Sequence, residues 1–368
     1  MGYMSECAQY LHAPVARTIC MTLYQQLADL SLNIEEYDFR IEQSDTSSGF
    51  TRATTVVTLH GGDETGYGED VATDTDVHHA LVEGHSDFPP IGEFTHQEFS
   101  TAIDSIDLYH GHTPPHEIFR NYRRWAFESA ALDLALKQAD TNLAAILGYE
   151  YNPIRFVVST RLGEPSTFDR IETLLQHNPD LEFKLDPTPD WSDRLINQLT
   201  DSGRVQILDL KGNAPRTSLA QPANPDLYQR IIDAFPDSIL EDPVFTDETR
   251  PLFTGHEDRV SWDAQITGVE SVESVPFQPE FLNIKPQRFG SVESLLDTIE
   301  YCKQNSIRPY GGGQFELDVG RKYLHELASL FYPEAPNDVA PRIYNKSEIA
   351  VNLPRSPLSP PTDSPGLN

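Results

Sequence analysis

Seven short apolar runs, evenly spaced, constrain the fold of this chain more than any other feature. They are IRFVVST (154–160), LEFKLD (181–186), RVQILDL (204–210), DSILEDP (237–243), RVSWDA (259–264), EFLNIKP (280–286) and SIRPYGGG (306–313). Each has strand length and is followed by a helix-compatible segment. Strands alternating with helices predict βα units closing into a parallel barrel, with a doubly wound sheet as the alternative. The preceding text has a different grammar. Residues 33–69 read as strands, where Val56, Val57 and Leu59 are closed by Gly61, Gly62 and Asp63. Residues 97–147 read as helices, with Ala126, Ala130, Leu132, Leu134 and Leu136 on a helical repeat. The expected architecture is therefore α/β: a modified (β/α)7β TIM barrel over 151–340 with an N-terminal α+β domain over 21–150. Residues 1–20 are expected to be an extension, and 341–368 a proline-rich tail with five prolines among its last sixteen residues.

Charge narrows the function. The formal net charge is −30, which disfavours phosphate backbones and anionic membrane surfaces as partners. Of the 27 basic residues only seven are lysines, and excess acid with scarce lysine matches the composition of proteins from a high-salt cytosol. Cys7, Cys20 and Cys302 are too few and too scattered for a disulfide framework or a CxxC metal site. No run approaches the ~18 apolar residues of a membrane span, and the N-terminus lacks a signal pattern, so a cytoplasmic location is expected.

In a βα barrel the chemistry sits at the C-terminal strand ends. Here those ends carry Lys184 and Asp186, then Asp209, Glu241, Asp263, Lys285 and the Gly311–Gly313 run. They recur at intervals of 22 to 32 residues, about one βα unit each, so their side chains converge on one mouth. One acid at a strand end is ordinarily a solvated loop charge. Three in succession, flanked by lysines in a lysine-poor chain, point instead to a site. Three carboxylates with open positions suit Mg²⁺, which keeps water or substrate oxygens as its other ligands. Such an ion can hold a substrate carboxylate while an adjacent amine removes the α-proton.

These residues resemble the enolase superfamily. ESAALDLALKQADTNLAAILG looks like the helix before the barrel, and LDL, LEDP and SWDA look like the three ligand strands. NIKP-QRFG and GGGQFELDVGR are closest to the sixth- and seventh-strand segments of the muconate-lactonising branch, which includes o-succinylbenzoate synthases and N-acylamino-acid racemases. The resemblance covers residues 33–340. It implies a capping domain over a modified barrel, Mg²⁺ held by Asp209, Glu241 and Asp263, and Lys285 as general base or acid. It also implies a small-molecule carboxylate substrate, with Lys184 stabilising the enediolate electrostatically.

The chain departs from that branch on the second strand, where Lys-x-Lys is replaced by Lys184-Leu185-Asp186. Period-2 alternation keeps both charged residues on one face. Either Lys211 supplies the absent amine and Asp186 pairs with it, or Lys211 forms a structural ion pair with Asp186 or Asp242. With Lys285 clear and its opposite-face counterpart altered, elimination is preferred over racemisation or epimerisation. A metal-binding member without turnover is the rival. The seventh strand ends in glycines rather than His, which disfavours the mandelate-racemase mechanism. Among weaker signals, His110, His112 and His116 read as a solvated turn, and Gly66-Tyr67-Gly68-Glu69 lacks the context of a phosphate cradle. Residues 61–72 and 84–95 are candidate specificity loops, and Glu316 is a candidate substrate or supporting contact. A homo-oligomer is compatible with the sequence.

Overall fold

The computed structural model describes residues 21–45, 51–84, 90–212, 221–346, 348–350 and 352–368. The expected extension at 1–20, with Cys7 and Cys20, lies outside the described residues. So does the 85–89 part of the second candidate loop.

The first unit is built on a three-stranded antiparallel meander, β2 (Glu36–Asp45), β3 (Thr51–Gly61) and β4 (Glu64–Asp70). A two-stranded pair lies beside it, β1 (Ser31–Ile34) with β5 (Gly92–Thr95). Three helices follow the chain around it: α1 (Thr75–Glu83), α2 (His96–Asp104) and α3 (Ile118–Gln138). α2 begins in a capping box: Thr95 Oγ1 accepts the Glu98 amide, and Glu98 returns the bond to the Thr95 amide at 2.8 Å. α3 is the hub, because its Ala126 and Ala130 face β4. A Cβ at Gly68 would lie 1.9 Å from the Ala126 carbonyl, and one at Gly66 would lie 2.2 Å from that of Ala130. The glycines of the Gly66–Glu69 stretch are thus explained by close strand-on-helix approach. The 61–72 candidate loop is a tight turn plus β4, with Asp70, Val71 and Ala72 fully buried.

After α4 (Leu143–Leu147) the barrel begins. Its strands are β6 (Val158–Thr160), β7 (Phe183–Leu185), β8 (Val205–Asp209), β9 (Ile239–Glu241), β10 (Val260–Trp262), β11 (Phe281–Ile284) and β12 (Arg308–Gly311). Each lies inside one of the seven apolar runs, and they pair in parallel in strict chain order. The helices between them are α5 (Asp169–His177), α6 (Asp193–Ser202), α7 (Pro225–Ala234), α8 (Val269–Glu273) and α9 (Val292–Gln304), with α10 (Val319–Phe331) after β12. The β9-to-β10 connection departs from the alternation: it holds two short 3₁₀ turns, Arg250–Phe253 and Glu257–Arg259, and no α-helix.

Closure comes from an eighth segment. Asn337 bridges in parallel to Phe156 and Asp338 to Gly312, with the Asp338 amide donating to Gly311 O at 2.8 Å. The ring therefore has eight places, and β7 stands opposite β11. The proline-rich tail is extended and packed: Leu358 bridges to Ile154, Gly366 bridges to Asn142, and the Leu367 amide donates to Asp133 at 2.8 Å. Contacts between the two units run through buried polar groups. Glu69 on β4 accepts the amides of Leu317 (2.6 Å) and Gly320 (2.9 Å) at the start of α10. Buried Arg52 on β3 donates to the Gln314 carbonyl at 3.1 Å.

Candidate active site

The strand ends converge as their spacing predicts. Asp209 closes β8, Glu241 closes β9, and Asp263 follows β10 by one residue. One carboxylate oxygen from each lies within 4.8 Å of the other two, and all three residues are buried. Among the described residues this is the one group of three or more potential metal ligands. Two non-glycine residues just after the strand ends adopt left-handed backbone, Lys211 at φ 54° and Asp242 at φ 49°. Such outliers cost on the order of 1–3 kcal/mol and persist where surrounding bonds enforce them. The Asp209 carboxylate accepts the Lys211 amide at 3.0 Å. Asp242 accepts the amides of Asp263 and Ala264, both at 2.9 Å, which ties one ligand strand to the next.

Four cations surround the acids. Lys184, 1% exposed, meets Glu241 at 2.5 Å, Asp338 at 3.3 Å and Asp209 at 3.4 Å. Lys211 contacts Asp209 and lies 3.3 Å from Asp186. Lys285 Nζ is 2.9 Å from Asp263 Oδ2, and Arg288 grips the same carboxylate at 2.5 and 3.3 Å. Lys211 thus pairs with Asp186, whereas Asp242 spends its oxygens on backbone amides. Asp186 and Lys285 come from opposite sides of the ring.

Burial and neighbouring charge set the proton balance. Burial would raise Asp209, but Lys211 and Lys184 outweigh it and hold the acid well below the usual carboxylate range. Asp263 is likewise held low, by Arg288 and Lys285 against its own burial. Burial would lower Lys184, yet Glu241, Asp209 and Asp338 keep its ammonium strongly protonated. Glu241 goes the other way: burial, with Asp209 and Asp263 beside it, pushes it far up despite Lys184. Asp242 is pushed up to about 6 by burial and by the same two aspartates.

This centre fits a divalent cation. Among the described residues six carboxylates (Asp186, Asp209, Glu241, Asp242, Asp263 and Asp338) face the four cations, so the acids outnumber the cations by two. A fifth cation, Arg161, reaches Asp186 only at 3.9 Å from the exposed rim. The crowding of acids that pushes Glu241 up is relieved when a cation enters the site. The donors are hard oxygens, as Mg²⁺ prefers.

Several participants carried no sequence signal of their own: Arg288, Asn283, Tyr310 and Asp338. Asn283 lies two residues before Lys285 on the same strand face, so period-2 reading could have placed it. Glu316 is buried and binds Gln287 (2.8 Å) and Arg321 (3.2 Å), which makes it a brace of the loop after β12. His110 and His112 line a separate concavity beside Asp74 and Asp76.

A capping α+β unit and a barrel closed by an eighth strand segment give this chain the fold of solved enolase-superfamily structures, with an acid triad at successive strand ends. Muconate cycloisomerase from Pseudomonas fluorescens superposes with a TM-score of 0.64 at 16% identity, covering 92% of this chain and 96% of that one. An enolase-superfamily protein from Enterococcus faecalis V583 gives 0.61 at 17% identity, covering 84% and 86%. In sequence the chain is 26% identical to an o-succinylbenzoate synthase from Listeria innocua serovar 6a; the match spans 58% of each protein, less than two thirds of the relative's length. Two family models match, described as the N-terminal and C-terminal domains of a domain of unknown function, DUF8230, over residues 25–146 and 150–346. The chain belongs to the DUF8230 family.

Proposed function

We propose that this chain is an enzyme that removes the α-proton of a small-molecule carboxylate substrate and then eliminates a leaving group, with Mg²⁺ held by Asp209, Glu241 and Asp263. When bound, the ion would hold the substrate carboxylate and offset the negative charge that builds on it as the proton leaves. The observation that carries this reading is the shared mouth: Lys285 lies 2.9 Å from one acid of the triad. Lys285 takes the α-proton and returns it to the leaving group. Lys184, fixed beneath the mouth by three acids, adds positive potential. An o-succinylbenzoate synthase and muconate cycloisomerases among the similar proteins support an enzymatic reading.

Racemisation or epimerisation is the second reading, and the Lys211–Asp186 pair at 3.3 Å favours it. That pair stands across the ring from β11, so protons could reach both faces of the α-carbon. A metal-binding protein without turnover is the remaining rival.

The test is exchange of substrate α-hydrogen with solvent deuterium over a panel of acyl-amino acids, dipeptides and sugar acids. We expect Mg²⁺-dependent exchange that falls on the order of 10²–10⁴-fold in Lys285→Ala. Exchange persisting in that variant removes Lys285 from its role. Mg²⁺ binding without exchange on any substrate favours the non-catalytic rival.

A further inference from the structure

Glu241 has both carboxylate oxygens engaged, and unequally. Oε1 takes Lys184 Nζ at 2.5 Å. Oε2 accepts Asn283 Nδ2 at 3.2 Å and the Tyr310 hydroxyl. Tyr310 is fully buried on β12, three places around the ring from β9. Its ring packs in the apolar layer under the site with Val157, Ile207 and Ile239, and only its hydroxyl rises into the polar layer. A phenol has one proton to give. Because that proton goes to Glu241, the Ser261 hydroxyl at 2.8 Å is the donor to the phenol oxygen. The relay Ser261 to Tyr310 to Glu241 is therefore directional, and it ends on one particular oxygen.

This arrangement bears on which cation the triad takes. Mg²⁺ needs near-ideal octahedral geometry and is commonly bound through single carboxylate oxygens, whereas Ca²⁺ takes six to eight oxygens and accepts carboxylates bidentately. A glutamate whose Oε2 already accepts two hydrogen bonds is left with Oε1, which accepts only Lys184, to offer a cation. Residues that orient a ligand from behind also keep the ligand from swinging.

We infer that Tyr310 is a positioning residue that limits Glu241 to one metal-facing oxygen and so sets the preference of this site for Mg²⁺ over Ca²⁺. The inference rests on the reading of the triad as a divalent-cation site. Tyr310 touches neither substrate nor ion. It acts through Glu241, from the underside of the barrel.

Calorimetric titration of the full chain with MgCl₂ and, separately, CaCl₂ tests it. Tyr310→Phe keeps the ring that fills the apolar layer and deletes the hydroxyl. Its Mg²⁺ affinity should fall about tenfold and its Ca²⁺ affinity much less, because Oε2, left with only the 3.2 Å bond from Asn283, can turn with Oε1 toward the larger ion. The Kd ratio between the two ions is the decisive readout, since a merely structural loss weakens both equally. A ratio unchanged within about twofold, where outer ligand supports commonly move affinity 10–100-fold, overturns the inference. Should Tyr310→Phe fail to fold, Asn283→Ala removes the other donor to Oε2 and is read the same way: a lowered Mg²⁺ preference supports the inference and an unchanged one overturns it. Absence of Mg²⁺ binding by the unaltered chain overturns the metal-site reading itself. Binding with an unmoved ratio in the variants overturns only the role of Tyr310.

Discussion

At Gly312 the chain carries no side chain because Asn283 and Lys285 already fill the space one would need. A Cβ there would lie 2.2 Å from Asn283 Oδ1 and 2.8 Å from Lys285 Cε. Gly312→Ala should cost about 1–3 kcal/mol as overpacking, read by chemical denaturation. It should also cut the exchange rate on the order of 10²-fold, because an amine displaced by about 1 Å no longer meets the reacting carbon. A normal exchange rate in a folded Gly312→Ala protein would contradict the placement of Lys285. At this scale the convergence of the candidate site was legible in the sequence, since strand-end position alone brings Asp209, Glu241, Asp263 and Lys285 to one mouth. The supporting layer was not. Tyr310 reads as one more apolar residue of a strand, and nothing in RPYGGG says that its hydroxyl crosses the ring to β9. Arg288 lies three residues past Lys285, where a 3₁₀ turn at Pro286–Arg288 folds it back onto Asp263.

α10 shows how an element gains its position from groups distant in the chain. Glu69 receives its first amides from the other unit, and Glu326 in its middle is bound by the Tyr151 hydroxyl at 2.5 Å and the Asn368 amide at 2.9 Å. Burial pushes the Glu326 carboxyl up to about 8 from an ordinary 4.5. The folded chain therefore keeps a proton there that the unfolded chain releases near 4.5. This contribution to stability is complete below pH ~4.5 and disappears as pH rises through ~8, at most about 5 kcal/mol in total. Urea denaturation at pH 6 and pH 9 should show a larger loss for the native chain than for Glu326→Gln, which cannot ionise. Equal losses would place the titrating group elsewhere. Periodicity sets the existence of α10 but not these bonds, because Tyr151 and Asn368 are 175 and 42 residues away from Glu326.

For the whole molecule, the seven-run pattern carried the barrel, because each βα unit buries its strand locally and repeats. Non-local closure leaves no local pattern in the sequence. The eighth strand segment is reduced to Asn337 and Asp338, too short for any periodicity, and the β9-to-β10 connection lacks its helix. The proline-rich tail offers no repeat, yet it bonds to both units through Ile154 and Asn142. The large negative charge also divides by location. Among the described residues most acids face solvent, while six crowd the mouth of the ring against four cations, and that surplus of acids is the physical reason to expect a divalent ion. Crystals grown with Mn²⁺ as a Mg²⁺ surrogate, measured at the manganese edge, test this most directly. A single anomalous peak is expected at bonding distance from carboxylate oxygens of Asp209, Glu241 and Asp263. A mouth without a peak, its acids neutralised only by Lys184, Lys211, Lys285 and Arg288, would contradict it.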